Sequence, residues 1–289
     1  MNSPNYRKYL FILIAISFLI RLVFAHLVEL TNDEVNYWTY ALFPSLSYFD
    51  HSPMVGWLIR ASTLNLMFTD ELFVRLSSII IGAVNTYLMF AIGKAIKDEL
   101  TGIYCALLYN TSVYCVIISG IFIMPDTPQL LFWLLSIYYF LRSIANKEIN
   151  KTARLSFLYA GIFVGLAMLS KYHSVFLWVG AILFILFYNR AWLKTKELYI
   201  SIIISFIFFI PVLIWNYQND FISFTYQSER IDIMRSGFRF DYFITELIGE
   251  VFYANPVTYV LILVALLRFK RIVSIDSRIK RFILAFKAA

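Results

Sequence analysis

The feature that most constrains this chain is a series of apolar runs, each approaching the roughly 20 residues needed to cross a hydrocarbon core about 30 Å thick. Residues 9–29 are the first such run. The chain is 61% hydrophobic and 19% aromatic but only 15% charged. A water-soluble domain cannot hide that much apolar surface, so the sequence reads as an all-α polytopic membrane protein. The first run is too long for a signal-peptide core and lacks a small-residue cleavage site, which makes it an uncleaved span. Eight spans are predicted, at 9–29, 72–96, 101–123, 127–143, 155–170, 174–188, 198–216 and 243–267. Cys105 and Cys115 fall ten residues apart in one predicted helix. At about 1.5 Å rise per residue they are too distant to form a disulfide.

The net charge of +7 is divided among short loops, which marks topology rather than a nucleic-acid stripe. Loops on one side hold Lys94, Lys97, Arg142, Lys147, Lys151, Arg154, Arg190, Lys194 and Lys196. Arg7 and Lys8 precede the first span on that side, and Arg268, Lys270, Arg271, Arg278, Lys280 and Arg281 follow the eighth. The other side has Arg60, Lys171, Arg230, Arg235 and Arg239. This asymmetry predicts both termini in the cytoplasm. Asp33, Glu34, Asp50, Asp70, Glu71, Asp126, Asp220, Glu229, Asp232 and Asp241 gather on the outer side. Acidic residues hardly steer insertion, so their clustering points to a solvated face or a site.

The first outer loop, 30–71, contains DEVNYWTYAL, predicted to form a helix on the membrane with Asp33, Tyr37 and Tyr40 on one face. PMVGWLIRASTLNLMF, 53–68, predicts a second helix with Pro53 in its first turn. YFDHSP lies between them, and a second large outer loop covers 217–242. Residues 155–188 are interrupted only by SKYH at 170–173, a turn expected to sink into the interface with Lys171 and His173. Pro125 and Pro128 break 101–143 at MPDTP, which sets Asp126 on a shallow outer turn. Non-helical backbone at that depth needs protein or water around it, which predicts a cavity.

Asp33, Glu34, Asp50, His51, Asp126, Lys171 and His173 thus come from separate outer turns at one depth. A carboxylate there could take the proton of an incoming hydroxyl. Lys171, His51 and His173 could meet a phosphate or diphosphate leaving group, and paired carboxylates could hold a divalent metal. Each residue also has a plainer explanation. Asp33–Glu34 fits a solvated span end, and Lys171 on pattern alone fits a side chain snorkelling to headgroups. His51 and His173 fit ordinary interface positions. Tyr37, Trp38, Tyr40, Trp57 and Trp178 fit an interfacial aromatic belt. Asp126 is harder to dismiss, because a carboxylate on a sunken turn is costly without a partner. Arg21 and Arg75 lie inside spans and should pair within the bundle or face water.

The segments DEVNYW, YFDHSPMVGWLIR, MPDTPQLLFW, GLAMLSKYHSVFLW and PVLIWNYQNDFISF together resemble the lipid-phosphate-sugar-dependent glycosyltransferases of the GT-C fold. The likeness runs from about residue 9 to 270 and is strongest to the bacterial branch related to protein mannosyltransferases and the lipid A aminoarabinose transferase. The resemblance implies a polyprenyl-phosphate-linked sugar donor and transfer at the outer face of the bacterial cytoplasmic membrane. It implies a catalytic acid after the first span, matched by Asp33, and a second acid before the fourth span, matched by Asp126; beside Asp33, Glu34 is expected to orient the base or a metal. YFDHSP matches a segment near the donor phosphate or a metal, placing His51 with the phosphate and Asp50 as a metal ligand. Lys171 matches a basic position near the donor; His173, two residues on, is taken as a further donor-phosphate ligand from its place on the same turn. The family usually continues through further spans and often an outer domain, whereas this sequence stops at FILAFKAA where a ninth span would begin. The family's C-terminal part is therefore expected to be missing from this single transmembrane domain, 1–289.

The reading is an inverting glycosyltransferase acting on an unspecified lipid, glycan or protein acceptor. A lipid-linked-substrate transporter or flippase is the rival, but it would need charges along a path through the bundle, and here they gather on one side. A structural membrane subunit is the third reading.

Overall fold

The computed structural model describes residues 5–146, 148–231, 240–269 and 275–288. Lys147, Asp232, Arg235, Arg239, Lys270 and Arg271, used above for topology, lie outside the described residues. No strand occurs among the described residues; the architecture is helical throughout. In chain order the helices are α1 (Tyr6–Leu27), α2 (Asn32–Leu42), α3 (Met54–Ser62), α4 (Glu71–Ile96), α5 (Glu99–Thr111), α6 (Asp126–Ser143), α7 (Lys151–Met168), α8 (Phe176–Tyr188), α9 (Lys196–Gln218), α10 (Ile222–Ile231), α11 (Phe240–Ala254), α12 (Pro256–Arg268) and α13 (Ser277–Ala288). The starts follow from local chemistry. Asn5, Asp70, Asp98 and Asn150 each accept the backbone N–H three residues on, capping α1, α4, α5 and α7.

Among the described residues three helices, α1, α4 and α9, are individually long and apolar enough to cross a membrane. Six of the predicted spans coincide with unbroken helices: α1, α4, α6, α7, α8 and α9. The span predicted at 101–123 is instead interrupted. α5 ends at Thr111, Ser112 is extended, and a π-helical turn follows at Tyr114–Ile118. The span predicted at 243–267 is also broken, with α11 and α12 meeting at 103°. Asn255 has φ 74° there, and Pro256 opens α12 at a position where its missing N–H costs nothing. The two breaks touch: the Asn255 amide donates to Thr111 O at 3.3 Å and the Ser112 hydroxyl to Tyr253 O at 3.4 Å. The predicted helix over 53–68 also stops early, because Leu64, Asn65 and Leu66 all take positive φ.

Close helix contacts come from small residues, as expected where lipid removes the hydrophobic drive between helices. Gly161 leaves no room for a Cβ against Ser201 of α9. Across the same seam Ser201 and Ser205 donate to Phe157 O and Gly161 O at 3.2 and 2.6 Å. The largest core joins α6, α7, α8 and α13 around Phe140, Phe157, Phe184 and Trp192. Trp178 is buried in this core rather than in an aromatic belt. α13 starts beside the loop after α6, where Arg278 donates to Asn146 O at 3.0 Å, and it buries Phe282 and Ala285 against α8. Cys105 and Cys115 are both free thiols.

Candidate functional site

α2 begins with a capping box. The Thr31 hydroxyl accepts Glu34 N–H, and the Thr31 backbone N–H donates to Glu34 Oε2 at 2.9 Å. The same carboxylate is fully buried against Arg75 of α4. Arg75 Nε and Nη2 donate to its two oxygens at 2.7 and 2.6 Å, a fork that matches the carboxylate plane. The guanidinium also donates to the carbonyls of Ala25, Val28 and Glu29, and Glu34 Oε1 accepts Ile123 N–H at 3.1 Å. One ion pair therefore ties the end of α1, the start of α2, α4 and the turn before α6. Glu34 has no surface left to offer a substrate.

The neighbouring Asp33 behaves differently. The buried residues of α2 are Glu34, Tyr37, Tyr40 and Ala41, whereas Asp33, in its first turn, is exposed. Its carboxylate is exposed and makes no hydrogen bond or ion pair among the described residues. It opens onto a cavity of about 700 Å³ whose wall includes Tyr114, Met124, Glu250, Tyr253 and Tyr259. Ser112 and Ala254, at the two chain breaks, also line that cavity.

Asp126 starts α6, and its carboxylate accepts Lys171 Nζ at 2.9 Å and the Tyr114 hydroxyl at 2.5 Å. Burial pushes this carboxyl up, but Lys171, the Tyr114 hydrogen bond and His51 outweigh it and hold it below the usual carboxylate range. Lys171 thus points at a carboxylate and not simply towards headgroups. His173, on the turn before α8, meets Gln129 Nε2 through its Nε2 at 2.5 Å. Burial and Lys171 push its imidazole below the ordinary histidine value. Gln129, Trp133, His173 and Tyr114 line a smaller cavity of about 170 Å³, so Tyr114 is shared by both.

YFDHSP lies against the inner face of α2. The Tyr40 hydroxyl donates to the Asp50 carboxylate, and Gln227 of α10 donates to Asp50 O at 2.8 Å. The His51 ring meets Tyr37 edge-on at 5.8 Å between centroids. The Tyr37 phenol is pushed up by burial first and then by the charges of Asp50, Asp33 and Asp126, which come from separate segments. Tyr37 and Tyr40 are therefore core residues of this region, not an aromatic belt.

Asp33, Asp50, His51, Asp126, Lys171 and His173 are brought to one end of the bundle, with Glu34 beneath them. Among the described residues no group of three or more His, Cys, Asp or Glu is gathered to hold a metal. Asp50 instead receives the Tyr40 hydroxyl, so these residues do not fit a protein-built metal cage. Sequence reasoning missed Tyr114, Gln129 and Glu250 at the site. Tyr114 carried no signal because its position depends on the break after Thr111. Arg75 is legible in the sequence only as a charge inside a span that must pair or face water.

A helical membrane protein with a one-sided acidic and basic cluster is the class defined by this geometry. The sequence model of the dolichyl-phosphate-mannose-protein mannosyltransferase family matches residues 50–215, more than half of the chain, and the chain belongs to that family. It is 26% identical over 190 residues to a lipid A galacturonosyltransferase of Rhizobium johnstonii, covering 65% of this chain and 38% of that protein. Its fold resembles a chain of the S. cerevisiae protein O-mannosyltransferase Pmt1–Pmt2 complex bound to the sugar donor, with a TM-score of 0.56 and 19% identity. That likeness covers 77% of this chain and 35% of the yeast chain. The chain therefore spans little more than a third of the length of each of these two relatives.

Proposed function

We propose that this chain carries the catalytic end of an inverting glycosyltransferase, which moves a sugar from a polyprenyl-phosphate donor to an acceptor hydroxyl at the outer face of the cytoplasmic membrane. The observation that carries the reading is the contrast between adjacent acids. Glu34 is consumed by Arg75, whereas Asp33 keeps a carboxylate with no partner among the described residues, at a cavity of about 700 Å³. Family membership and the excess of Lys and Arg on the opposite loops support the donor class and the orientation.

Asp33 takes the proton of the acceptor hydroxyl. The acceptor oxygen then forms its bond to the anomeric carbon as the carbon–oxygen bond to phosphate breaks. The electron pair leaves with the polyprenyl phosphate, and the anomeric configuration inverts. Asp126 holds Lys171 by one of its three ammonium N–H groups, leaving two for the departing phosphate. His51 and His173 border the same charge. Tyr114 fixes the Asp126 oxygen that holds Lys171. Glu34 is assigned a structural role: it keeps α2, and with it Asp33, in place.

The test is transfer of labelled sugar from a synthetic polyprenyl-phosphate donor by the full-length native protein in proteoliposomes, with Asp33→Asn beside the parent. A base positioned on a hydroxyl contributes about 10²–10⁴-fold in rate. A loss of that size with unchanged insertion supports the reading, and parent-like turnover removes Asp33 as the base. Asp126 would be the next residue to test.

A further inference from the structure

At the opposite end of the bundle, α1, α4 and α6 wall a cavity of about 720 Å³. Leu10, Phe11, Ile14 and Phe90 give it an apolar interior, and Arg7, Lys94 and Arg142 stand around it, one from each helix. We propose that this cavity binds an anionic glycerophospholipid, with its phosphate between the three cations and an acyl chain along α1. The proposal rests on the orientation above only for the leaflet, which is the cytoplasmic one.

Charge and shape carry the argument. The volume lies in the range of ligand cavities, roughly 300–1,000 Å³. Among the described residues Glu99 is the acid seen against these cations, accepting Lys94 Nζ at 2.7 Å and feeling the charge of Arg7. Three positive charges against one negative leave an excess that a zwitterionic headgroup would not neutralise. Arg142 is folded back over the cavity wall: its Nη1 donates to the Tyr138 hydroxyl at 3.0 Å and its guanidinium lies 5.5 Å from that ring. This orientation keeps the charge beside the apolar wall, where phosphate and chain would meet. Basic pockets between spanning helices on the cytoplasmic side are suited to anionic headgroups. The site is separate from the acidic end. Lys94 is 19 residues from Arg75 along α4, about 28 Å at 1.5 Å per residue, and Arg142 is 16 residues from Asp126 along α6, about 24 Å. The phosphate of a polyprenyl phosphate held at the acidic end stays that far from these three cations, whereas bilayer phospholipid bathes this face continuously.

The experiment measures binding of phosphatidylglycerol and phosphatidylcholine to the purified full chain in neutral detergent by native mass spectrometry. The variants are Arg7→Gln/Lys94→Gln/Arg142→Gln combined, Arg142→Lys, and an Arg190→Gln/Lys194→Gln control that removes basic charge elsewhere. The parent and the control should prefer phosphatidylglycerol by roughly tenfold or more, given about 1 kcal/mol per basic residue at an anionic surface. The triple variant should lose that preference while still binding phosphatidylcholine, which also shows that it is folded, and Arg142→Lys should keep most of it. Equal affinity for both lipids in the parent overturns the proposal, as does a triple variant with the preference intact. Displacement by inorganic phosphate at lipid-like concentrations, or binding of polyprenyl phosphate without phosphatidylglycerol, also overturns it. None of these readouts depends on sugar transfer, so failure here and failure of the glycosyltransferase reading are distinguishable.

Discussion

At the acidic end, Glu34, Asp50 and Asp126 each give their carboxylate to a fixed partner, Arg75, Tyr40 and Lys171 respectively. At the basic end, Arg7 and Arg142 stand beside an apolar cavity with no carboxylate bound to either among the described contacts, and Lys94 shares an exposed acid. The same three helices, α1, α4 and α6, run between the two ends. The difference is one of burial. A charge drawn below the membrane surface must be paired and hydrogen-bonded to be tolerated. A charge at the rim can stay open to water, headgroups or a substrate. Asp33 stands out because it has the rim behaviour within the paired end.

The largest expected effect is at Glu34. Glu34→Gln leaves the Arg75 guanidinium buried without its counter-charge, and stability should fall by about 3–5 kcal/mol. Thermal unfolding in detergent measures it, and loss of transfer should accompany unfolding rather than precede it. Lys171→Ala should cost less, about 1–3 kcal/mol, because Asp126 keeps the Tyr114 hydroxyl and some access to water. It should weaken donor binding as well as turnover, since the same cation faces the phosphate before and during transfer. Tyr114→Phe removes one hydrogen bond to a charged group and should cost about 1.5 kcal/mol. Its sharper signature is a rise in the Asp126 titration, read by infrared absorption of the carboxyl.

The smallest effect is with pH. The His173 imidazole is held below its ordinary 6.5, so the unfolded chain binds that proton more readily than the folded one. Asp126 is likewise held low, so its contribution is complete above the ordinary carboxylate value and lost as pH falls through the lower folded one. Both act in one direction. Stability should decline from about pH 6.5 downward, first through His173 and then through Asp126. His173→Gln should remove the upper step alone.

Much of the architecture is legible because hydrophobic length and turn chemistry are local. The helix starts at Asp70, Asp98 and Asn150 and the turn at Pro125 can be read in a few residues. Asn255–Pro256 is an equally local signal of a break, hidden in the sequence by the apolar length on either side of it. Glu34 was also within reach. Thr31 and Glu34 have capping-box spacing, and Glu34, Tyr37 and Ala41 share a helix face, which places the acid inward. What could not be read was long-range pairing. Nothing local links Lys171 to Asp126, 45 residues apart, or Arg75 to Glu34, 41 residues apart. Tyr114 reaches Asp126 only because α5 breaks first.

The central claim is that two adjacent acids do opposite work, Asp33 in chemistry and Glu34 in structure. The most direct test measures donor binding and single-turnover transfer for Asp33→Asn and Glu34→Gln in parallel, together with the unfolding temperature of each. Asp33→Asn should unfold like the parent, bind donor like the parent, and transfer about 10²–10⁴-fold more slowly. Glu34→Gln should unfold at a lower temperature, and the fraction that remains folded should turn over near the parent rate. A folded Asp33→Asn protein that transfers sugar at the parent rate, or a stable Glu34→Gln protein that has lost transfer, would contradict the assignment.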